Sequence, residues 1–160
     1  MDTNRGDIIV VLDNIRSAHN VGAIFRTCEG RGVQRIILGG YTPAPRDRFG
    51  REVVEIKKTS LGASQMVPWQ SLGDVEVITE LGKLQIEGYQ IVAVEQAKNS
   101  VSLPNFLPTG KTVYIFGNEI TGVSEDLLAK SDVIVEIPMA GQKESLNISV
   151  SVGIVLFYHL

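Results

Sequence analysis

Side chains able to do chemistry concentrate in three polar segments, each placed directly after a run of β-branched or aliphatic residues. The first, Asp13-Asn14-Ile15-Arg16-Ser17-Ala18-His19-Asn20-Val21-Gly22-Ala23-Ile24-Phe25-Arg26, holds two asparagines, a histidine and two arginines. The second, Phe116-Gly117-Asn118-Glu119-Ile120-Thr121-Gly122-Val123-Ser124, sets a carboxylate behind a glycine that permits close approach of a ligand or an unusual dihedral. The third, Ile137-Pro138-Met139-Ala140-Gly141-Gln142-Lys143-Glu144-Ser145-Leu146-Asn147, is a strand exit, since Pro138 bars continuation of the ladder. Ligands of open α/β sheets bind beyond the carboxyl ends of strands, where all three segments lie. Each residue also has a purely structural use. Asn20 can cap a helix, and Ser145 or Asn147 can cap the last one. Arg26 falls off the apolar face, His19 reads as a polar loop residue, and Glu119 can complement a helix dipole. None of the segments is a Walker loop or a GxGxxG fingerprint.

The elements that position these segments follow from periodicity. Candidate strands are Ile8–Leu12, Arg35–Leu38, Gln90–Val94, Val113–Phe116 and Val133–Ile137, alternating with helical patterns as in a parallel α/β sheet. Val21, Ile24, Phe25 and Cys28 recur at i, i+3, i+4 and i+7, a helix face with Asn20 as N-cap and an end at Gly30 or Gly32. Further helices are expected over Val75–Glu87 and from Ser124 as N-cap to Lys130. Residues 39–52, rich in Gly and Pro, read as a long loop, and such loops are often functional. From Asn147 onward the pattern fits both periods, strand and helix, and periodicity alone leaves it open.

Composition narrows the setting. One domain over 1–160 is expected at this length, with an ample apolar share of 44%. No apolar run is long enough to span a membrane, and Met1–Asp7 lacks the pattern of a signal peptide. A single Cys28 allows no internal disulfide, and two histidines with one cysteine argue against zinc. The expected setting is cytoplasmic. Net charge is −3 but uneven: residues 1–58 carry ten Lys/Arg against seven Asp/Glu, the remainder five against eleven. Arg46, Arg48, Arg51, Lys57 and Lys58 form a basic stretch able to contact phosphates or to serve merely as a solvated loop.

Taken together, "NVGAIFRTCEGRGV", "FGNEITGVS" and "IPMAGQKESLNISVSVG" resemble, in order and spacing, the three signature motifs of the SpoU (TrmH-like) RNA methyltransferases of the SPOUT superfamily. The likeness extends over nearly the whole chain, through "KTSLGASQMVPW" and "IVAVEQA". Val123 where Leu is common, and Ser151 where Ala is common, are small departures away from catalytic positions.

The resemblance implies a parallel sheet flanked by helices with a C-terminal deep trefoil knot, a feature sequence reasoning alone would not propose. It implies S-adenosylmethionine as cofactor, held through backbone groups at Val94, Gly117, Ile137 and Leu146, with Ser145 close by. Asn20, Arg26, Glu119, Ser145 and Asn147 match the family's catalytic and substrate-positioning residues. The implied reaction is methyl transfer to a ribose 2′-hydroxyl of tRNA or rRNA. The last segment becomes a helix that pairs two protomers into a homodimer; no metal is expected, and, unlike in many relatives, no additional RNA-binding domain. A noncatalytic RNA-binding or assembly protein on the same fold is the alternative from another class. An oxidoreductase on a Rossmann-like sheet is a third, and it lacks the glycine fingerprint.

Overall fold

The computed structural model describes residues 7–159; Met1–Gly6, which carry most of the leader argument, and Leu160 lie outside it. Seven parallel strands form one sheet: β1 (Ile8–Asp13), β2 (Arg35–Gly39), β3 (Trp69–Leu72), β4 (Gln90–Val94), β5 (Val101–Ser102), β6 (Thr112–Gly117) and β7 (Val133–Glu136). Their spatial order is β3-β2-β1-β6-β4-β7-β5. The central strands β1 and β6 are buried along their whole length, as a parallel sheet covered on both faces requires.

Alternation along β1 divides the core. Val10 and Leu12 face one layer, where α1 (Ala18–Arg31), α2 (Val54–Ser60) and α5 (Ile148–Tyr158) bury Ile24, Phe25, Ile56, Val152, Val155 and Leu156. Ile9 and Val11 face the other, against Val77, Leu81 and Leu84 of α3 (Asp74–Ile86) and Leu127 of α4 (Glu125–Lys130). Gly22 lets α2 lie directly on α1, because a Cβ there would collide with Thr59 and the Ile56 backbone. No helix among the described residues is long and apolar enough to cross a membrane.

Four expectations require correction or completion. The N-cap of α1 is Ser17, whose hydroxyl accepts the Asn20 N–H at 3.1 Å; Asn20 sits inside the first turn instead. The helix ends at Gly32, in the left-handed conformation with φ 74°, and passes through Gly30. Strands β3 and β5 and helix α2 went unread, being too short or too polar for a periodic signal. The ambiguous final segment is helix α5, capped by Asn147, whose Oδ1 accepts from the Ser149 N–H at 2.9 Å. Residues 40–53 carry no helix or longer strand, as the long-loop reading expected, and α4 spans the expected residues behind Ser124.

Candidate active site

All loops leaving carboxyl ends of a parallel sheet emerge on one edge, and here they close around a cleft of about 550 Å³. Val94, Glu95 and Gln96 leave β4; Phe116 through Gly122 leave β6; Glu136, Ile137 and Met139 leave β7, continuing to Ser145, Leu146 and Asn147 at the start of α5. Asn20 of α1 closes one side.

Eight of the nine positions singled out in the sequence therefore line one cleft: Asn20, Val94, Gly117, Glu119, Ile137, Ser145, Leu146 and Asn147. Arg26 does not. It lies six residues past Asn20 on α1, roughly 9 Å along the axis and turned to another face, and it is exposed to solvent. His19 is also exposed, on helix α1 rather than in a loop, and stays out of the cleft.

Each motif side chain has a specific structural task. Glu119 does stand at a helix N-terminus, but that of α1: its carboxylate accepts the N–H groups of Arg16 (3.2 Å) and Ser17 (3.4 Å), more than a hundred residues away in sequence. The helix it precedes in sequence, α4, is not its partner. Because Ser17 caps α1, the Asn20 side chain is released toward the cleft, where its Oδ1 lies 3.5 Å from Asn147 Nδ2. Gly117 faces a different constraint from the one its motif suggested. A Cβ there would run into the backbone of Gly122 and Val123, so the glycine is demanded first by the chain's own loop.

Sequence reasoning missed the residues that hold these loops together. Asn118, buried, makes four hydrogen bonds: Nδ2 donates to Asn14 O and to Tyr41 Oη, each 2.8 Å, while Oδ1 accepts from Ile120 N–H (2.8 Å) and Thr121 N–H (3.0 Å). Asp13, closing the otherwise apolar β1, accepts the Ser124 N–H at 2.8 Å. Glu95 accepts the N–H groups of Val123 (2.8 Å) and Gln96 (3.0 Å). Gln96 in turn donates from Nε2 to Glu144 O (2.7 Å), tying the β4 exit to the loop before α5. The available signal was position: a polar residue at the last place of a buried strand, or one or two beyond it. Such a group is placed where backbone N–H groups of the next loop need acceptors.

The electrostatics of the cleft select among ligands. Four carboxylates line it, Glu95, Glu119, Glu136 and Glu144, and among the described lining residues there is no lysine or arginine. A dinucleotide or nucleoside triphosphate would meet repulsion there. A ligand with cationic sulfur and ammonium groups on an adenosine body suits both this charge and the apolar walls of Val94, Phe116, Ile120, Ile137 and Leu146. Among the described residues no three His, Cys, Asp or Glu side chains converge as metal ligands.

Comparison with known proteins agrees with this geometry. The model of the SpoU rRNA methylase family matches residues 7–157. A tRNA (guanosine(18)-2′-O)-methyltransferase of Aquifex aeolicus is 32% identical over 98% of this chain and 70% of its own length. A 23S rRNA (guanosine-2′-O-)-methyltransferase RlmB of Pseudomonas syringae pv. tomato is 30% identical over 98% of this chain, which spans 60% of that relative. In three dimensions, an AdoMet-bound rRNA methyltransferase from Sinorhizobium meliloti superposes with a TM-score of 0.84 at 29% identity, covering 95% of this chain and 55% of that one. The shared sheet, the cleft at its carboxyl edge and the family match over almost every described residue place this chain in the SpoU rRNA methylase family.

Proposed function

We propose that the protein transfers a methyl group from S-adenosylmethionine to the 2′-hydroxyl of an RNA ribose, in tRNA or rRNA, at sites shared between the two chains of a homodimer. The observation that carries this reading is the carboxylate-lined cleft built by all three motifs, which suits a sulfonium cofactor and disfavours anionic ones. The relatives named for 2′-O-methylation of guanosine in tRNA and in 23S rRNA support the substrate class. A cytoplasmic setting goes with these substrates.

When bound, the cofactor supplies an electrophilic methyl on a cationic sulfur; the protein supplies position and charge. Val94, Ile137 and Leu146 offer apolar walls to the adenosine, and the main chain at Gly117 offers hydrogen bonds. Asn20, Ser145 and Asn147 line the same cleft and offer polar groups to position a ribose. Glu119 fixes the N-terminus of α1 and with it Asn20. The proton of the accepting hydroxyl would pass to an RNA phosphate or to water. Arg26 stabilises the charge developing on oxygen, its planar guanidinium donating hydrogen bonds rather than removing the proton. Holding oxygen and methyl in line supplies several kcal/mol of the barrier reduction.

Two observations support sharing of the site. Arg26 is absent from the cleft of its own chain and solvent-exposed. On α5, Val150, Ile154, Phe157 and Tyr158 recur at i, i+4, i+7 and i+8 and are 37–49% exposed, an apolar stripe fit for a two-fold partner. Within Ile154–Tyr158, Val155 and Leu156 enter the core, and the others face outward. Gly30, one turn past Arg26, would place a Cβ 3.9 Å from the Phe157 ring, so Arg26 borders this stripe. We further propose that the C-terminus is threaded as a trefoil knot. In support, β7 lies between β4 and β5, yet α5 packs beside α1, so residues 137–147 must cross the exits of β4 and β6.

The experiment is twofold. S-adenosylhomocysteine should raise the melting temperature while NAD leaves it unchanged. Nucleoside mass spectrometry of RNA treated with protein and cofactor should find the methyl group on the sugar fragment. A base-methylated product, or equal activity on the DNA version of the substrate, would reject the reading.

A further inference from the structure

The loop after β2 carries an aromatic residue that the fold does not use. Phe49 is 66% exposed at the tip of a tight hairpin closed by the antiparallel bridge Arg46–Glu52. The tip is rigidly built. Asp47 Oδ1 accepts the N–H groups of Phe49 (2.9 Å) and Arg51 (3.0 Å), and its Oδ2 accepts from Arg51 Nε (2.9 Å). The Gly50 N–H returns to Asp47 O at 3.0 Å, with Gly50 at φ 76°, and Arg46 Nη1 donates to Gly50 O at 2.9 Å. The guanidiniums of Arg48 and Arg51 stand 4.8 and 4.9 Å from the centre of the Phe49 ring.

We infer that this hairpin is an RNA-docking platform: Phe49 stacks on an unpaired nucleobase while Arg48 and Arg51 hold the flanking phosphates. The inference rests on the proposed RNA substrate and adds where the RNA is gripped. Three features support it. An exposed aromatic ring between guanidiniums is the combination that binds single strands, because every base has a π-face and every linkage a charge. Charge is segregated along the edge of the sheet. Residues 46–58 hold five cations against Asp47, Glu52 and Glu55, and Arg48 and Lys58 make no ion pair among the described residues, whereas the cleft is lined by carboxylates. Phosphates are thereby drawn to the hairpin and kept out of the cofactor site. Finally, the hairpin is anchored to the cleft. Tyr41, which opens the same loop, accepts a hydrogen bond from Asn118 in the cleft wall and is itself exposed. A strand stacked on Phe49 leads toward the site along that side.

The test uses the full chain and a fluorescein-labelled, mixed-sequence single-stranded RNA 12-mer, with a blunt duplex of the same sequence as control, read by anisotropy. Phe49→Ala should weaken single-strand binding about tenfold, and Phe49→Trp should preserve it. Arg48→Gln should lower the slope of log affinity against log salt by about 0.7. None of the three should alter the melting temperature or S-adenosylhomocysteine affinity, because these side chains are exposed and outside the cleft. Wild-type affinity in Phe49→Ala, or failure of the wild-type chain to bind the 12-mer, overturns the inference. If the 12-mer binds through Phe49 but S-adenosylhomocysteine does not bind at all, the platform stands and the methyltransferase reading falls.

Discussion

Removing the Asn118 side chain should loosen the whole cleft, and the size of the effect can be worked from its contacts. The amide joins three loops: it donates to Asn14 O and Tyr41 Oη, and it accepts from Ile120 and Thr121 in its own turn. A hydrogen bond contributes about 0.5–1.5 kcal/mol net, and a buried partner left unpaired costs more than an exposed one that finds water. Ile120, Thr121 and the Tyr41 ring are exposed, so three of the four groups can be rehydrated. Asn118→Ala should therefore cost about 2–3 kcal/mol, which lowers the melting temperature of a chain this size by about 5–10 °C. S-adenosylhomocysteine affinity should fall as well, because the Gly117–Gly122 turn forms the cleft wall. Asn118→Asp keeps the oxygen that accepts from Ile120 and Thr121 but places a second carboxylate oxygen against Asn14 O, and should be at least as damaging. Calorimetric unfolding and titration measure both quantities. A variant with wild-type melting temperature and cofactor affinity would refute the view that Asn118 holds the site.

Shared sites predict complementation. Arg26→Ala and Leu146→Trp should each be inactive, and mixed under subunit exchange they should recover about a quarter of wild-type activity, since half the dimers are mixed and each has one intact site. Verified heterodimers with no recovery would mean each site is built within one chain. Gly117→Ala should destabilise the β6 exit by collision with Gly122, whereas Gly141→Ala, with open space around it, should leave melting unchanged. Cys28 is fully buried, and burial pushes its thiol well above the usual range, so a thiol reagent should titrate it only after unfolding. The sign for stability follows: above about pH 8.5 the unfolded thiol ionises and the folded one does not, so this residue favours unfolding as pH rises, and Cys28→Ser should lessen that slope.

Much of this protein was legible in its sequence because the signals were local. The strands β1, β4, β6 and β7 are mostly apolar runs with polar residues only at their ends or in the Tyr114 hydroxyl, since a strand covered on both faces has no polar side to display. The face Val21-Ile24-Phe25-Cys28 fixes α1 by its spacing. Resemblance then identified the residues that converge on the cleft, eight of nine within one chain. What escaped was short or non-local. Strand β3, Trp69-Gln70-Ser71-Leu72, has no β-branched residue and is held as a strand only by pairing with β2.

Sequence by itself determined the α/β class, the order of the longer elements and the three loops that line the cleft, because hydrophobic period and turn residues act over a few positions. Tertiary structure alone decided which backbone each polar side chain serves. Glu119 precedes α4 in the chain yet caps the approach to α1, and Asn20 gave up the N-cap to Ser17 and so faces the cleft. Gly117 makes room for Gly122, and Arg26 faces away from the cleft that its own motif helps to form. Hydrogen bonds and steric exclusion act through space, between residues 111 positions apart at Asp13 and Ser124, and no local pattern encodes them.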